Sequence, residues 1–253
     1  MKFPSFSVVT TVFKKEEAIS LFLNAMLTQD YSGKWEVIVV DDASPDNSYN
    51  IITSFKDIYN KNGINLISIK NETNIGQCIC RNNGVHKATG DIIIVIDSDC
   101  IMHSTYLTNF ATLYSYNDCD VVIGPQNIEA SIDNVQNKLI ECSNPRIALR
   151  LTALQDPVNK RSFVNCITRN FSIKKDFITE DLFDPDLTHS AANPETGFGW
   201  DDVEMGCRLF ERGARIKYSP SVYTVHIAHP PAIEDRASIP LRSMKNYRIM
   251  HEK

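Results

Sequence analysis

The chain has 253 residues, 43% hydrophobic and 23% charged, with a formal net charge of −5. That is enough apolar material for a sizeable core, and the acidic balance argues against a partner such as the phosphate backbone of a nucleic acid. The seven cysteines include no CxxC pair, which argues against a zinc or disulfide framework and fits reduced thiols in a cytosolic compartment.

In chain order, Ser7–Val12 (SVVTTV) is β-branched and apolar and predicts a strand. Residues 16–29 (EEAISLFLNAMLTQ) place Ile19, Leu23, Met26 and Leu27 at helical spacing. Glu36–Val40 (EVIVV) predicts a second strand, ending in Asp41 and Asp42, and the turn residues SPDN lead into a helix to about Tyr59. Asn65–Ile69 is a third strand, Ile75–Ala88 a helix stopped by Gly90, and Asp91–Ile96 a fourth strand that runs into Asp97-Ser98-Asp99. Beyond residue 100 the pattern loosens. Strands are expected at Val121–Ile123, Phe163–Ile173 and within Arg215–His226. Helices are expected over Asn134–Leu154 with a break at Pro145, over Asp202–Arg212 with Gly213 as the stop, and late in the tail from Pro230. No segment approaches the ~20 apolar residues of a membrane span, and the first residues, MKFPSFSVVTTVF, lack a signal-peptide pattern.

Strands alternating with helices predict an α/β fold, a mainly parallel sheet with helices on both faces, in one domain over 1–253. Ligands of such sheets gather beyond the carboxyl ends of the strands, so Asp41, Asp42, Asp97 and Asp99 should share a crevice. Alternate residues of an extended segment point to the same side, so Asp97 and Asp99 can converge on a hard divalent cation; a turn or helix cap accounts equally well for an isolated D-x-D. Asn74, Gly76 and Arg81 surround a helix amino end suited to anionic groups, or form an ordinary amphipathic helix. In GFGWDDVEMGCRLFERG (197–213), Asp201 or Asp202 opens a helix whose amino end is expected to keep a carboxylate ionised, and Phe198 or Trp200 can pack on a sugar face.

These segments (SVVTTVFKKEEAI, EVIVVDDASPDNS, NETNIGQCICRNNGVHKATGDIIIVIDSDC and TGFGWDDVEMGCRLFERGARI) together resemble glycosyltransferase family 2, inverting enzymes of GT-A fold. The late element and VHIAHPPAIEDR look most like the branch of bacterial chondroitin polymerases and polypeptide N-acetylgalactosaminyltransferases. The resemblance implies a nucleotide-binding half (1–100), an acceptor-binding half (101–229) and a C-terminal tail (230–253). It implies that Thr11, Asp41, Asp42, Asn74, Gly76, Arg81, Asp97, Ser98, Trp200 and Asp201 bind a UDP-sugar. It further implies that Asp99 and His226, with His229 as the near alternative, hold Mn²⁺ or Mg²⁺, and that Asp202 is the catalytic base. The acceptor would be a glycan or a lipid-linked sugar in capsule or cell-surface polysaccharide synthesis, at a cytoplasmic site with at most peripheral membrane contact. Lys245, Arg248 and Lys253 of the tail would then touch an anionic acceptor or a membrane surface, or form a solvated helix face. One departure stands out: where the family has Pro-x-Tyr-Asn, this chain has Thr11-Val12-Phe13-Lys14. A nucleotidyltransferase is disfavoured by the lack of glycine at 12–16. A non-catalytic nucleotide-sugar-binding module is disfavoured by the intact acids.

Overall fold

The computed structural model describes residues 3–116, 118–125, 128–144, 147, 165–190, 193, 195–229 and 236–252. The strand-forming runs of the first half become its spine. β1 (Phe6–Val12), β2 (Trp35–Asp41), β3 (Asn65–Lys70) and β4 (Ile92–Val95) lie parallel in the order β3-β2-β1-β4. The second half adds β5 (Cys100–Met102), β6 (Val121–Ile123), β7 (Glu129–Ala130), β8 (Phe171–Lys174), β9 (Ile216–Tyr218) and β10 (Thr224–Ile227). β8 enters antiparallel between β4 and β6, and β9 pairs parallel with β6, completing a seven-stranded, mixed and mainly parallel sheet. A second small sheet has the order β5-β10-β7.

Pleating explains how the sheet carries two cores. Successive strand residues point to opposite faces, so Phe6, Val8 and Val12 of β1 join Val37, Val39, Ile92 and Ile94 in one cluster, while Val9 joins Ile38, Ile93 and Val95 in the other. The first cluster is sealed by α1 (Glu16–Leu27) through Ile19, Phe22, Leu23 and Met26. Burial of each such side chain contributes about 1.5–3 kcal/mol. On the same flank lie α2 (Ser48–Ser54) and α3 (Lys56–Lys61), whose Ile52 and Tyr59 belong to that cluster. The second cluster is sealed by Val85 of α4 (Gln77–Lys87) and by Met205 and Leu209 of a helix described below.

The differences from the sequence-based expectations have local causes. The helix expected up to Tyr59 is two short helices that meet at Phe55. The strand expected over 163–173 shrinks to β8, because Thr168–Asn170 coil into a 3₁₀ turn; residues 163 and 164 lie outside the described residues. Arg215–His226 divides into β9 and β10 around a 3₁₀ turn at Pro220–Val222, where proline has no N–H to give a ladder. α5 (Tyr106–Tyr116) was not expected, and α6 (Val135–Cys142) falls within the helix expected over 134–154, of which residues 145, 146 and 148–154, with the break at Pro145, lie outside the described residues. Two last helices, α7 (Asp201–Glu211) and α8 (Ile239–Glu252), complete the described chain. No described helix is long and apolar enough to cross a membrane.

Gly90 sits where α4 returns to β4, against the backbone of β1. A Cβ added there would meet the carbonyl carbon of Phe6 and the nitrogen of Ser7 at 2.6 Å each, and backbone in the middle of a sheet has little room to give. Gly90→Ala is expected to lower stability by about 1–3 kcal/mol. Urea unfolding should show an earlier midpoint at unchanged slope, and an unchanged midpoint would refute the close packing.

Candidate active site

Arg81 lies one turn into α4, on the helix face turned toward the carboxyl end of β4, and is buried. Its Nη2 is 3.0 Å from Oδ1 of Asp97, and its Nη1 is 3.0 Å from Oδ2 of Asp201 and 3.8 Å from Oδ1 of Asp202. The guanidinium also lies over the ring of Phe183, 5.2 Å from its centroid. A planar fork of five donors suits several carboxylates at once. Burial pulls the pKa of Arg81 down, but Asp202, Asp97 and Asp201 outweigh it and push it up.

The two acids of α7 are aimed by a sharp turn. Gly199 and Trp200 both adopt left-handed backbone, with φ of 67° and 71°, an uncommon conformation for a bulky side chain. α8 clamps this turn from behind. Trp200 Nε1 donates to Ser243 Oγ at 2.9 Å, and Asn246 Nδ2 donates to the carbonyls of Leu187 and Gly199 at 2.9 and 2.8 Å. Arg242 donates to the carbonyls of Ser190 and Thr196, while its own carbonyl accepts from the backbone N–H of Phe198. The Trp200 indole therefore packs against α8, edge-on to Tyr247, and not on the cleft where a sugar was expected to meet it.

Asp202 departs from the expectation of a fully ionised helix-end carboxylate. Burial raises its pKa to about 7, and Asp201 adds to the rise against the pull of Arg81. Its Oδ1 is buried with no hydrogen-bond partner, although 21% of the side chain remains accessible. Desolvation thus overrides the modest field of one helix end.

A second cluster forms where β10 pairs antiparallel with β5. The register sets His226 opposite Cys100, and Ile227 N–H donates to the carbonyl of Asp99 at 2.8 Å. The chain then turns His229 back toward the same carboxylate. His229 Nε2 is 3.0 Å from Asp99 Oδ2, and His226 Nε2 is 3.4 Å from Asp99 Oδ1. Ligand atoms of these three residues lie within 4.8 Å of one another, so the structure brings both histidines to Asp99 where the sequence left a choice. Asp99 Oδ1 is buried with no hydrogen-bond partner, an atom that a cation beside His226 Nε2 would satisfy; His226 Nδ1 faces Glu129 Oε1 at 3.4 Å instead. Burial lowers the pKa of His226 and keeps its ring neutral, as a ligand must be. Burial opposes the charge on Asp99, but His229 and Lys15 overcome it and hold its carboxyl well below the usual range. The residues fit a divalent ion.

A cavity of about 240 Å³ opens beside both clusters. Of the residues singled out in the sequence, Thr11, Asp42, Asn74, Asp97, Ser98, Asp99 and His226 line it; Asp41, Gly76, Arg81, Trp200, Asp201 and Asp202 do not. Asp41 is buried and accepts from Ser44 N–H at 2.9 Å. Asp42 accepts from the N–H groups of Ile75 and Gly76 and from Asn71 Nδ2, each at 2.9 Å. That pins the glycine whose φ of 96° opens α4. Lys15, Arg169, His189 and Ser190 also line the cavity and were missed. Lys15 had a signal in its place just past β1, at the carboxyl edge of the sheet. Arg169, His189 and Ser190 come from loops with no periodicity to read.

The model of the family described as glycosyl transferase family 2 matches residues 7–180. The glycosyltransferase AglE of Haloferax volcanii is 32% identical over 231 residues, covering 90% of this chain and 68% of AglE. Among solved structures, Staphylococcus aureus TarS aligns with a TM-score of 0.68 at 19% identity, covering 97% of this chain and 64% of TarS residues 1–349; it has also been solved with UDP-GlcNAc. The mannosyltransferase PcManGT of Pyrobaculum calidifontis, in complex with GDP-Man and Mn²⁺, aligns with a TM-score of 0.63 at 16% identity over 99% of this chain and 65% of its own. Against the full-length sequence of TarS, the chain spans only 20% of the relative. A mixed sheet shared with these GT-A structures and a family match across more than half of the sequence lead to one assignment: the chain belongs to glycosyl transferase family 2.

Proposed function

We propose that the protein is a metal-dependent, inverting glycosyltransferase that moves a sugar from a UDP-sugar to a hydroxyl of a glycan or lipid-linked acceptor in surface-polysaccharide synthesis. One observation carries this reading. A carboxylate with its pKa near 7, Asp202, is tied through Arg81 to Asp97, which shares one cavity wall with the cation-ready trio of Asp99, His226 and His229. Nucleotide sugars bound to the TarS and PcManGT neighbours support the donor class.

The steps follow from the side chains. Asp42 fixes the Asn74–Gly76 loop, whose polar edge receives the nucleoside. Inversion requires the acceptor oxygen to attack the anomeric carbon as the bond to the β-phosphate oxygen breaks. The acceptor proton passes to the carboxylate of Asp202, and a nucleoside diphosphate leaves. A base with its pKa near the working pH is half available and still basic enough to take the proton. Arg81 holds Asp97 and Asp201 in place so that Asp202 faces less like-charge repulsion than three free acids would impose. A divalent ion bound by Asp99, His226 and His229 supplies Lewis-acid neutralisation of the diphosphate. Two imidazoles in the donor set favour Mn²⁺ over Mg²⁺.

Asp202→Asn is expected to retain UDP binding by calorimetry while losing about 10²–10⁴ of the transfer rate; near-normal turnover would remove Asp202 from the role. Only the ionised carboxylate accepts a proton, so kcat/KM of the wild type should increase with pH through an inflection at or below about 7. A flat profile between about pH 5 and 8 would contradict the assignment. Chelation should abolish transfer and added Mn²⁺ restore it, and Asp99→Ala should be inactive at any Mn²⁺ concentration; full turnover in excess chelator would rule out the metal.

A further inference from the structure

The place a divalent cation would take already holds a positive charge. Lys15 Nζ is 2.8 Å from Asp99 Oδ2 and 2.6 Å from His229 Nε2. An ammonium has three donors and no acceptor, so in the tautomer that pairs with Lys15 His229 Nε2 accepts and carries its proton on Nδ1, whereas in the other tautomer Nε2 donates to Asp99. In the first tautomer Lys15 takes the one lone pair of His229 Nε2 and lies against Asp99 Oδ2, and a metal ion bound to that nitrogen cannot share its lone pair with a second cation. Lys15 lies just past β1, ahead of α1, with its side chain 20% exposed. It also forms part of a partition, with Asp99 and His229, between the 240 Å³ cavity and a neighbouring hollow of about 560 Å³. The released side chain has open space on either side.

Resting on the metal-dependent reading above, we propose that Lys15 is a tethered cation. In the metal-free protein it holds Asp99 and His229 together against the burial of the carboxylate. When a divalent ion takes those ligands, the Lys15 ammonium is expelled and pairs with the donor's diphosphate in the adjoining cavity. Metal and donor then load together: the metal frees the lysine for the diphosphate, and the diphosphate draws the lysine away from the metal ligands. Such coupling is reciprocal by linkage. The residue contributes charge at two successive places, first as a guard of the cation site and then as a diphosphate contact.

The test measures Mn²⁺ binding directly, by the electron paramagnetic resonance signal of free Mn²⁺, with and without UDP. The proteins are the wild type, Lys15→Met, Lys15→Gln, Lys15→Arg and Asp99→Ala. Without nucleotide, Lys15→Met and Lys15→Gln should bind Mn²⁺ roughly tenfold more tightly than the wild type. Lys15→Arg, which keeps the charge, should show no such gain. UDP should tighten Mn²⁺ binding in the wild type and tighten it much less in the two uncharged variants. Equal or weaker Mn²⁺ binding in both uncharged variants, with thermal melts like the wild type's and binding still abolished in Asp99→Ala, overturns the role of Lys15 alone. Wild-type Mn²⁺ binding that is absent, or unchanged by Asp99→Ala, overturns the metal reading and the Lys15 role with it.

Discussion

A single buried guanidinium holds the site together. Arg81 reaches Asp97 at the end of β4 and Asp201 and Asp202 at the start of α7, joining stretches far apart in the chain. Each carboxylate alone would be costly to bury, and three near one another would repel. The fork of Arg81 bonds Asp97 and Asp201 directly and lies farther from Asp202, whose pKa burial pushes up to about 7.

The sheet explains why these groups meet. Parallel strands β1, β2 and β4 end on the same edge, and the loops that follow carry Lys15, Asp42, Asp97 and Asp99. The second half folds back to supply what the first lacks. β8 lies antiparallel beside β4 and brings Thr168–Asn170 to that edge, while β10 uses β5 as a template to deliver two imidazoles to Asp99.

The sequence was readable where physics acts locally. β1 to β4 are apolar, β-branched runs whose burial leaves little choice of structure, and the acids after them follow from the geometry of parallel sheets. It was unreadable where a partner distant in sequence decides. β5 and β7 are too short to have a pattern of their own, and β8 exists because β4 and β6 offer it ladders. Arg81 read as an anion receptor because nothing in a helix announces that its guanidinium is already taken. His226 and His229 looked like competitors because only the pairing of β10 with β5 shows that both reach one carboxylate. The ionisation of Asp202 was misjudged for a related reason: the helix end is visible in sequence, and the depth of burial is not.

In the sequence, the last helix is legible only through Lys245, Arg248 and Lys253, as a contact for an anionic acceptor or membrane or as a solvated face. Its inward residues, Arg242, Ser243 and Asn246, grip the turn that aims the acidic pair, while Leu241 and Met244 face outward. The placement of the Asp201–Asp202 pair is therefore inherited from the back of the molecule. Substitutions on the inner face of that helix, remote from the cavity, are therefore expected to displace the two acids without touching them.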